Sequence, residues 1–402
     1  MLVDVETGRV LAQHNAHQKM FPASTTKTMT ALLAIEKGDL NKIVRIGPNP
    51  PKTGESSANL LEGETFTLAD LVRAALIHSA NDACVAIAEA VAGDVPSFVK
   101  MMNETAREIG AKQTHFANPH GLHDPNHYTT AYDLSLIVRR AMTHSFFNRV
   151  VATREYSMHG NYKIGPRRVM YNRNRLLFRW PSCDGVKTGY TRQAGRCLVA
   201  SATMRDPQTG SPWRLLGVVL KSPNTWSDAY NLLKFHGFNQ YRPALVARAG
   251  ERVTQAAVTG GARPVAAVAE HDLDLPLRPY EKAHLSRRLQ LEPVLAPVIK
   301  GQSVGRVEYW FKDHKLGEVP LVARAAVPAS LVAQKLPGMA ALVPADPLRR
   351  YGLYALAAAF LVTLIVAVLT FLKALYNART KRARRLVAYR PEKIAPSKKV
   401  GR

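Results

Sequence analysis

A serine and a lysine three positions apart, Ser24 and Lys27, are the residues of this chain best suited to covalent chemistry. On a helical backbone they fall on one face, within reach of a single hydrogen bond. A hydroxyl is a weak nucleophile until a base takes its proton, and a lysine held neutral is such a base. The chemistry this pair can do is attack of Ser24 Oγ on a carbonyl carbon, with an acyl-enzyme as the intermediate. Alone, the spacing is common on solvated helix faces. Two further clusters make it specific: Ser79-Ala80-Asn81 adds a hydroxyl and an amide, and Lys187-Thr188-Gly189 adds an amine, a hydroxyl and a residue without a side chain.

Those clusters need elements to position them. Alternating apolar residues predict short strands over Leu2 to Val5 and Arg9 to Ala12, joined by a turn at Glu6-Thr7-Gly8. The run Thr28 to Ile35 predicts a buried helix ending near Gly38, which puts Ser24 at the helix's amino end. Thr67 caps a helix to Ile77, so Ser79 and Asn81 fall where that helix gives way to the next, Asp82 to Ala92. Ser97 to Ile109 and Thr130 to Met142 are further amphipathic helices, separated by a loop from Asn118 to His127. Gly185 to Gly189, Arg196 to Met204 and Leu215 to Leu220 read as consecutive antiparallel strands, closed by a helix from Asp228 to Phe235. Helices in the middle with strands from both ends give an α+β domain.

The three clusters in this order form the signature of penicillin-binding proteins and class A β-lactamases. The wider surroundings sharpen it: Leu2-Val3-Asp4 before Thr7-Gly8, His78-Ser79-Ala80-Asn81-Asp82-Ala83-Cys84, Asn118-Pro119-His120-Gly121-Leu122 and Gly185-Val186-Lys187-Thr188-Gly189-Tyr190-Thr191. The chain resembles the D-alanyl-D-alanine carboxypeptidase family, the low-molecular-mass penicillin-binding proteins, over residues 2–240 and more weakly to about 328. The resemblance implies a transpeptidase/β-lactamase-like fold, a peptidoglycan pentapeptide substrate and inhibition by β-lactams, with no cofactor and no metal. It implies Ser24 as nucleophile, Lys27 as base and Ser79 as proton relay to the leaving amine. Asn81 would bind the substrate amide, Lys187 and Thr188 its carboxylate, and Gly189 would allow close approach. The amides of Ser24 and Tyr190 would form an oxyanion hole. Many relatives carry an arginine for the carboxylate where this chain reads Ser222-Pro223-Asn224-Thr225-Trp226, with Thr225 or Trp226 in its place. A peptidoglycan endopeptidase or transpeptidase shares the same first step. A β-lactamase does too, but Glu89, Glu104, Glu108 and Glu155 lack the surroundings of its deacylating glutamate. A wall-binding scaffold without activity would leave the clusters as relics of the fold.

From Tyr241 to Pro328 the pattern changes to short alternating segments, among them Arg252 to Val258, Val265 to Val268, Gly305 to Trp310 and Val319 to Ala325. This predicts a small β-sandwich over 241–328, resembling the carboxy-terminal domain of these carboxypeptidases and serving as a spacer or wall-facing platform. Residues 329–350 read as a linker. The 22 uncharged residues Tyr351 to Leu372 are long enough for a transmembrane helix, and 373–402 is a basic tail. Positive charge after the span exceeds the Arg349-Arg350 pair before it, which places the tail in the cytoplasm and the catalytic domain outside, on the plasma membrane. Such a topology calls for an export signal upstream of Met1.

The 402 residues carry a net charge of +25, to which the stretch from Arg379 onward contributes strongly. No zinc-finger spacing or aromatic RNA-binding motif accompanies that charge, so nucleic acid is not an expected partner. Cys84 sits in an apolar helical pattern; Cys183 and Cys197 flank a strand and its return, where a bridge is conceivable in an oxidising compartment. His115, His120, His123 and His127 cluster in sequence, but not at a spacing that suits metal ligation.

Overall fold

The computed structural model describes residues 1–158, 168–207, 209–259 and 263–328. The linker at 329–350, the span at 351–372 and the basic tail lie outside the described residues. Among the described residues no helix is long and apolar enough to cross a membrane. The chain divides into two compact units, Met1–Pro243 with Pro276–Arg278, and Ala244–Leu275 with Pro279 onward.

The first unit is built on a five-stranded sheet. Its strands are β1 (Leu2–Asp4), β2 (Val10–Ala12), β7 (Cys183–Thr191), β8 (Gly195–Arg205) and β9 (Pro212–Val219), with β3 to β6 in two small ribbons described below. The order is β2-β1-β9-β8-β7, so β1, from the start of the chain, lies inside the sheet, and β7 forms an edge. Leu2 pairs with Gly217 and Gly189 with Cys197. Side chains alternate across a strand, and here both faces are covered. Leu198, Ala200 and Leu215 pack on one side with Ala229, Leu233 and Phe238. Val199, Leu216 and Val218 point to the other side, into the helical core.

That core surrounds helix α1 (Lys27–Lys37), whose first eight residues are all buried. A helix buried all round needs internal partners for its polar groups. Thr28 donates to the Thr25 carbonyl and Thr30 to that of Pro119. Around it pack α2 (Leu68–Arg73), α3 (Asn81–Ala92), α4 (Val95–Ile109), α5 (Ala131–Met142) and α6 (Ser145–Ala152). Thr67, Asp94 and Thr130 cap α2, α4 and α5 through their side-chain oxygens. The helix expected from Thr67 to Ile77 ends in a π turn, Ala74–His78, and the closing helix is Thr225–Asn231 continued by a π turn, Leu232–Phe238. Helix α6 and the ribbons β3 (Ile43–Arg45) with β4 (Thr65–Thr67) and β5 (Glu155–Met158) with β6 (Arg168–Tyr171) were not anticipated.

In the second unit, five antiparallel strands run in the spatial order Arg252–Ala256, Val265–Ala269, His314–Ala323, Ser303–Phe311, Ser286–Leu291. Val258–Thr259 and Val294–Leu295 add a short parallel pair. Ala267, Val304, Val307, Tyr309, Val319 and Leu321 are almost wholly buried. It is the β domain that the alternating pattern foretold.

Candidate active site

Ser24 lies in a tight 3-10 turn, Ala23–Thr26, that leads directly into α1. Such a turn has three residues per revolution, so positions 24 and 27 eclipse one another. Lys27 Nζ is 2.8 Å from Ser24 Oγ. The same amine reaches Asn81 Oδ1 at 2.7 Å and the His120 carbonyl at 2.7 Å. Two acceptors hold two N–H bonds of a neutral amine, and the lone pair is left for the Ser24 hydroxyl. Burial pushes the Lys27 amine down to about 8, and the positive field of Arg173 acts in the same sense. A base with that affinity is available near neutral pH.

Asn81 begins α3 and is spoken for at both ends of its amide, since Nδ2 donates to the Gly54 carbonyl at 2.9 Å. That bond orients Oδ1 toward Lys27. The next residue, Asp82, is fully buried and ties down the loop bearing Gly54: its carboxylate accepts from Ser57 Oγ, Ala58 N and Leu60 N. Ser79 closes the π turn in the left-handed region, at φ 68°, and is 3 % exposed. Residues held there cost of order 1–3 kcal/mol and gather at functional sites.

Strand β7 brings the third cluster. Lys187 is buried and donates to the Thr188 carbonyl at 3.0 Å, and its amine is driven well below the usual lysine range by burial and by the charges of Lys27 and Arg173. Gly189 faces the Ser24 turn: a Cβ there would lie 3.0 Å from the Pro22 carbonyl oxygen and 3.0 Å from the Ser24 amide nitrogen. The close approach that glycine permits is therefore to the backbone of the Ser24 turn. Tyr190 is 65 % exposed.

Several participants were given no role by the sequence, although Asn118 to Leu122 belongs to the segments that carry the family resemblance. Gly121 takes φ +87°, and a Cβ on it would sit 1.9 Å from the Ala23 carbonyl oxygen. The Asn118 carboxamide accepts from Gly121 N at 2.7 Å and donates to the Leu122 carbonyl, which shapes the loop that offers the His120 carbonyl to Lys27. Ala23 itself has φ 48°. Arg173 Nε donates to the His78 carbonyl, beside Ser79.

This geometry has relatives. A family model described as D-alanyl-D-alanine carboxypeptidase matches residues 1–223, and one described as penicillin-binding protein 5, C-terminal domain, matches residues 241–329. The chain belongs to the D-alanyl-D-alanine carboxypeptidase family. D-alanyl-D-alanine carboxypeptidase DacF of Bacillus subtilis is 30 % identical to this carboxypeptidase over 334 residues, covering 81 % of this chain and 84 % of its own. DacC of Escherichia coli is 33 % identical over 343 residues, covering 80 % and 82 %. The crystal structure of penicillin binding protein 5 from Haemophilus influenzae superposes with a TM-score of 0.69 at 30 % identity, covering 81 % of this chain and 96 % of that one.

Strand register and packing bear on two points that the sequence left open in this carboxypeptidase. Cys183 pairs opposite Ala202 and Cys197 opposite Gly189, so the two lie five or six residues apart along neighbouring strands, roughly 15–20 Å. That is far beyond the reach of a disulfide, and all three cysteines are free and buried. At the position of the absent arginine, Thr225 is 3 % exposed and donates to the Ser222 carbonyl, while Trp226 packs against the core. Among the described residues no carboxylate hydrogen-bonds Ser24 or Lys27. Nor does any group of three His, Cys, Asp or Glu side chains among them suit a metal ion.

Proposed function

We propose that the chain is a serine-type D-Ala-D-Ala carboxypeptidase that removes the terminal D-alanine from peptidoglycan pentapeptide stems, with Ser24 as its nucleophile. The observation that carries this reading is the Lys27 amine, bonded at once to Ser24 Oγ, Asn81 Oδ1 and the His120 carbonyl. Neutral Lys27 takes the Ser24 proton as Oγ attacks the carbonyl carbon of the penultimate D-alanine. The oxyanion faces the amides of Ser24 and Tyr190. As the peptide bond breaks, Ser79 passes a proton to the leaving amine, and terminal D-alanine departs. Water then cleaves the ester and restores the Ser24 hydroxyl. Asn81 serves here by holding Lys27 and the Gly54 loop, and a substrate amide would compete for the same carboxamide. Lys187 and Thr188 take the substrate carboxylate, and β7, an edge strand, is free to pair with an extended peptide.

A penicillin follows the same path to an acyl-enzyme on Ser24. Labelling with a fluorescent penicillin, with Ser24→Ala as control, tests the assignment; a Ser24→Ala protein that still labels ends it. Slow release of the bound penicillin, alongside release of D-alanine from a D-Ala-D-Ala peptide, separates this reading from a β-lactamase. The lack of a carboxylate bonded to Ser24 or Lys27 among the described residues favours slow release.

The uncharged segment 351–372 and the basic residues after it support a single membrane crossing, with the tail in the cytoplasm and both units on the outer side of the plasma membrane. A reporter active only in the cytoplasm, fused after Arg402, should be active; silence would reverse the orientation.

A further inference from the structure

The four histidines between residues 115 and 127 have separate occupations. His115 bonds the Asn126 carbonyl, His120 accepts the Leu122 amide, and His123 stacks edge-on against Phe21. The fourth, His127, is 2 % exposed and lies against the turn that carries Ser24. Its Nε2 is 2.7 Å from Thr26 Oγ1, and Thr26, fully buried, is one of the two residues between Ser24 and Lys27. Its Nδ1 accepts the Ala117 N–H at 3.1 Å. A neutral imidazole with Nδ1 occupied as acceptor carries its hydrogen on Nε2. The ring therefore donates to Thr26. Ala117 opens the loop that continues through Asn118 to His120 and Gly121, the segment touching Lys27 and the Ala23-Ser24 peptide from the opposite side.

From this we propose that His127 is a positioning residue for acyl transfer: a neutral, singly protonated bracket that fixes the Ser24–Lys27 turn at a set distance from the 117–121 loop. One ring bonds both the turn that carries Ser24 and the loop that carries His120 and Gly121, so the approach of the His120 carbonyl to Lys27 and of Gly121 to the turn depends on it. Burial drives the ring's proton affinity down, to about 4, which keeps it neutral through the working pH range. Asp124 opposes that shift, and the charges of His115, Lys27 and His123 reinforce it. Phe116 meets the ring edge-on, so packing and hydrogen bonding at this site can be separated by substitution.

The inference rests on the carboxypeptidase reading, and acylation of the unaltered chain by a fluorescent penicillin tests that reading first. Given such acylation, His127→Phe keeps the ring's bulk and loses both hydrogen bonds, while His127→Gln keeps an amide donor and acceptor. The acylation rate at saturating penicillin should fall about 10- to 100-fold in His127→Phe, with half-saturation little changed, and should recover substantially in His127→Gln. Thr26→Val removes the partner hydroxyl at nearly constant volume. It should slow acylation in the parent and cost little more in the His127→Phe background. His127→Phe acylating at the parental rate would overturn the proposal, as would full additivity of the two substitutions. Equal thermal unfolding of His127→Phe and His127→Gln with unequal acylation would support it.

Discussion

Lys27 and Lys187 are both buried, and the charge on Lys27 lowers the proton affinity of Lys187. Two such amines cannot both stay charged without cost, so the free site favours losing a proton as pH rises. On the proposed mechanism neutral Lys27 takes the Ser24 proton, so the acylation rate should climb as pH passes through about 8. Arg173→Gln removes part of the positive field, raises the Lys27 affinity and moves that limb to higher pH. Rapid-mixing acylation across the neutral to alkaline range reads both effects; a flat profile would contradict them. The linkage to stability has the same sign. The unfolded chain holds the Lys27 proton up to 10.5 and the folded chain only to about 8, so stability rises with pH between those values.

Asn81→Asp would set an anion where Oδ1 now lies 2.7 Å from the Lys27 amine. An opposite charge at that distance favours the protonated amine. Acylation should slow on the order of 100-fold near neutral pH, with its limb displaced upward. Asn81→Ala should slow it as well, but without that upward displacement. Equal pH profiles for the two variants would refute this account.

Gly121 and Gly189 press on the same turn from two sides, but an added methyl group meets different obstacles. At Gly121 it meets a carbonyl oxygen at 1.9 Å in a left-handed backbone, so Gly121→Ala should destabilise the fold by about 3 kcal/mol or more. At Gly189 it meets the turn at 3.0–3.1 Å. Gly189→Ala should therefore cost only ~1 kcal/mol while slowing acylation by about 10-fold or more, because the Ser24 amide is what moves. Denaturant midpoints measured beside acylation rates distinguish the two.

The buried thiols of Cys84, Cys183 and Cys197 are each pushed up to about 11 by burial. They should resist thiol reagents in the folded protein, and all three should react after denaturation without reductant. A reductant should leave the unfolding midpoint unchanged. Detection of fewer than three thiols would show a bridge that the strand register forbids.

Much of this was legible in the sequence because the signals are local. Thr67 announces its helix by capping, the run from Thr130 to Met142 by its amphipathic period, and Ser24 with Lys27 is read from a spacing of three. The run from Arg196 to Met204 reads as a strand, and falls within β8, Gly195–Arg205. What stayed hidden depends on distant pairing. The loop at Gly54 becomes part of the site only because Asp82 and Asn81 bind it, and β3 with β4 are too short for an alternation to register. Gly121 looked like loop punctuation, and its contact with Ala23 is set by tertiary packing. The register that separates Cys183 from Cys197 is likewise a property of the pairing, not of either segment.

Strand β1, pinned between β2 and β9, has a consequence for how the molecule comes into being. Residues 2–4 are synthesised long before residues 212–219, and only those give their backbone its second partner. Closing so long a loop is slow, and until it closes β9 keeps a bare edge. The helices can gather early; the sheet, and with it the meeting of Gly189 and Ser24, comes last. A nascent chain cut short of Val219 should thus be unable to acquire penicillin reactivity, however well its helices have formed.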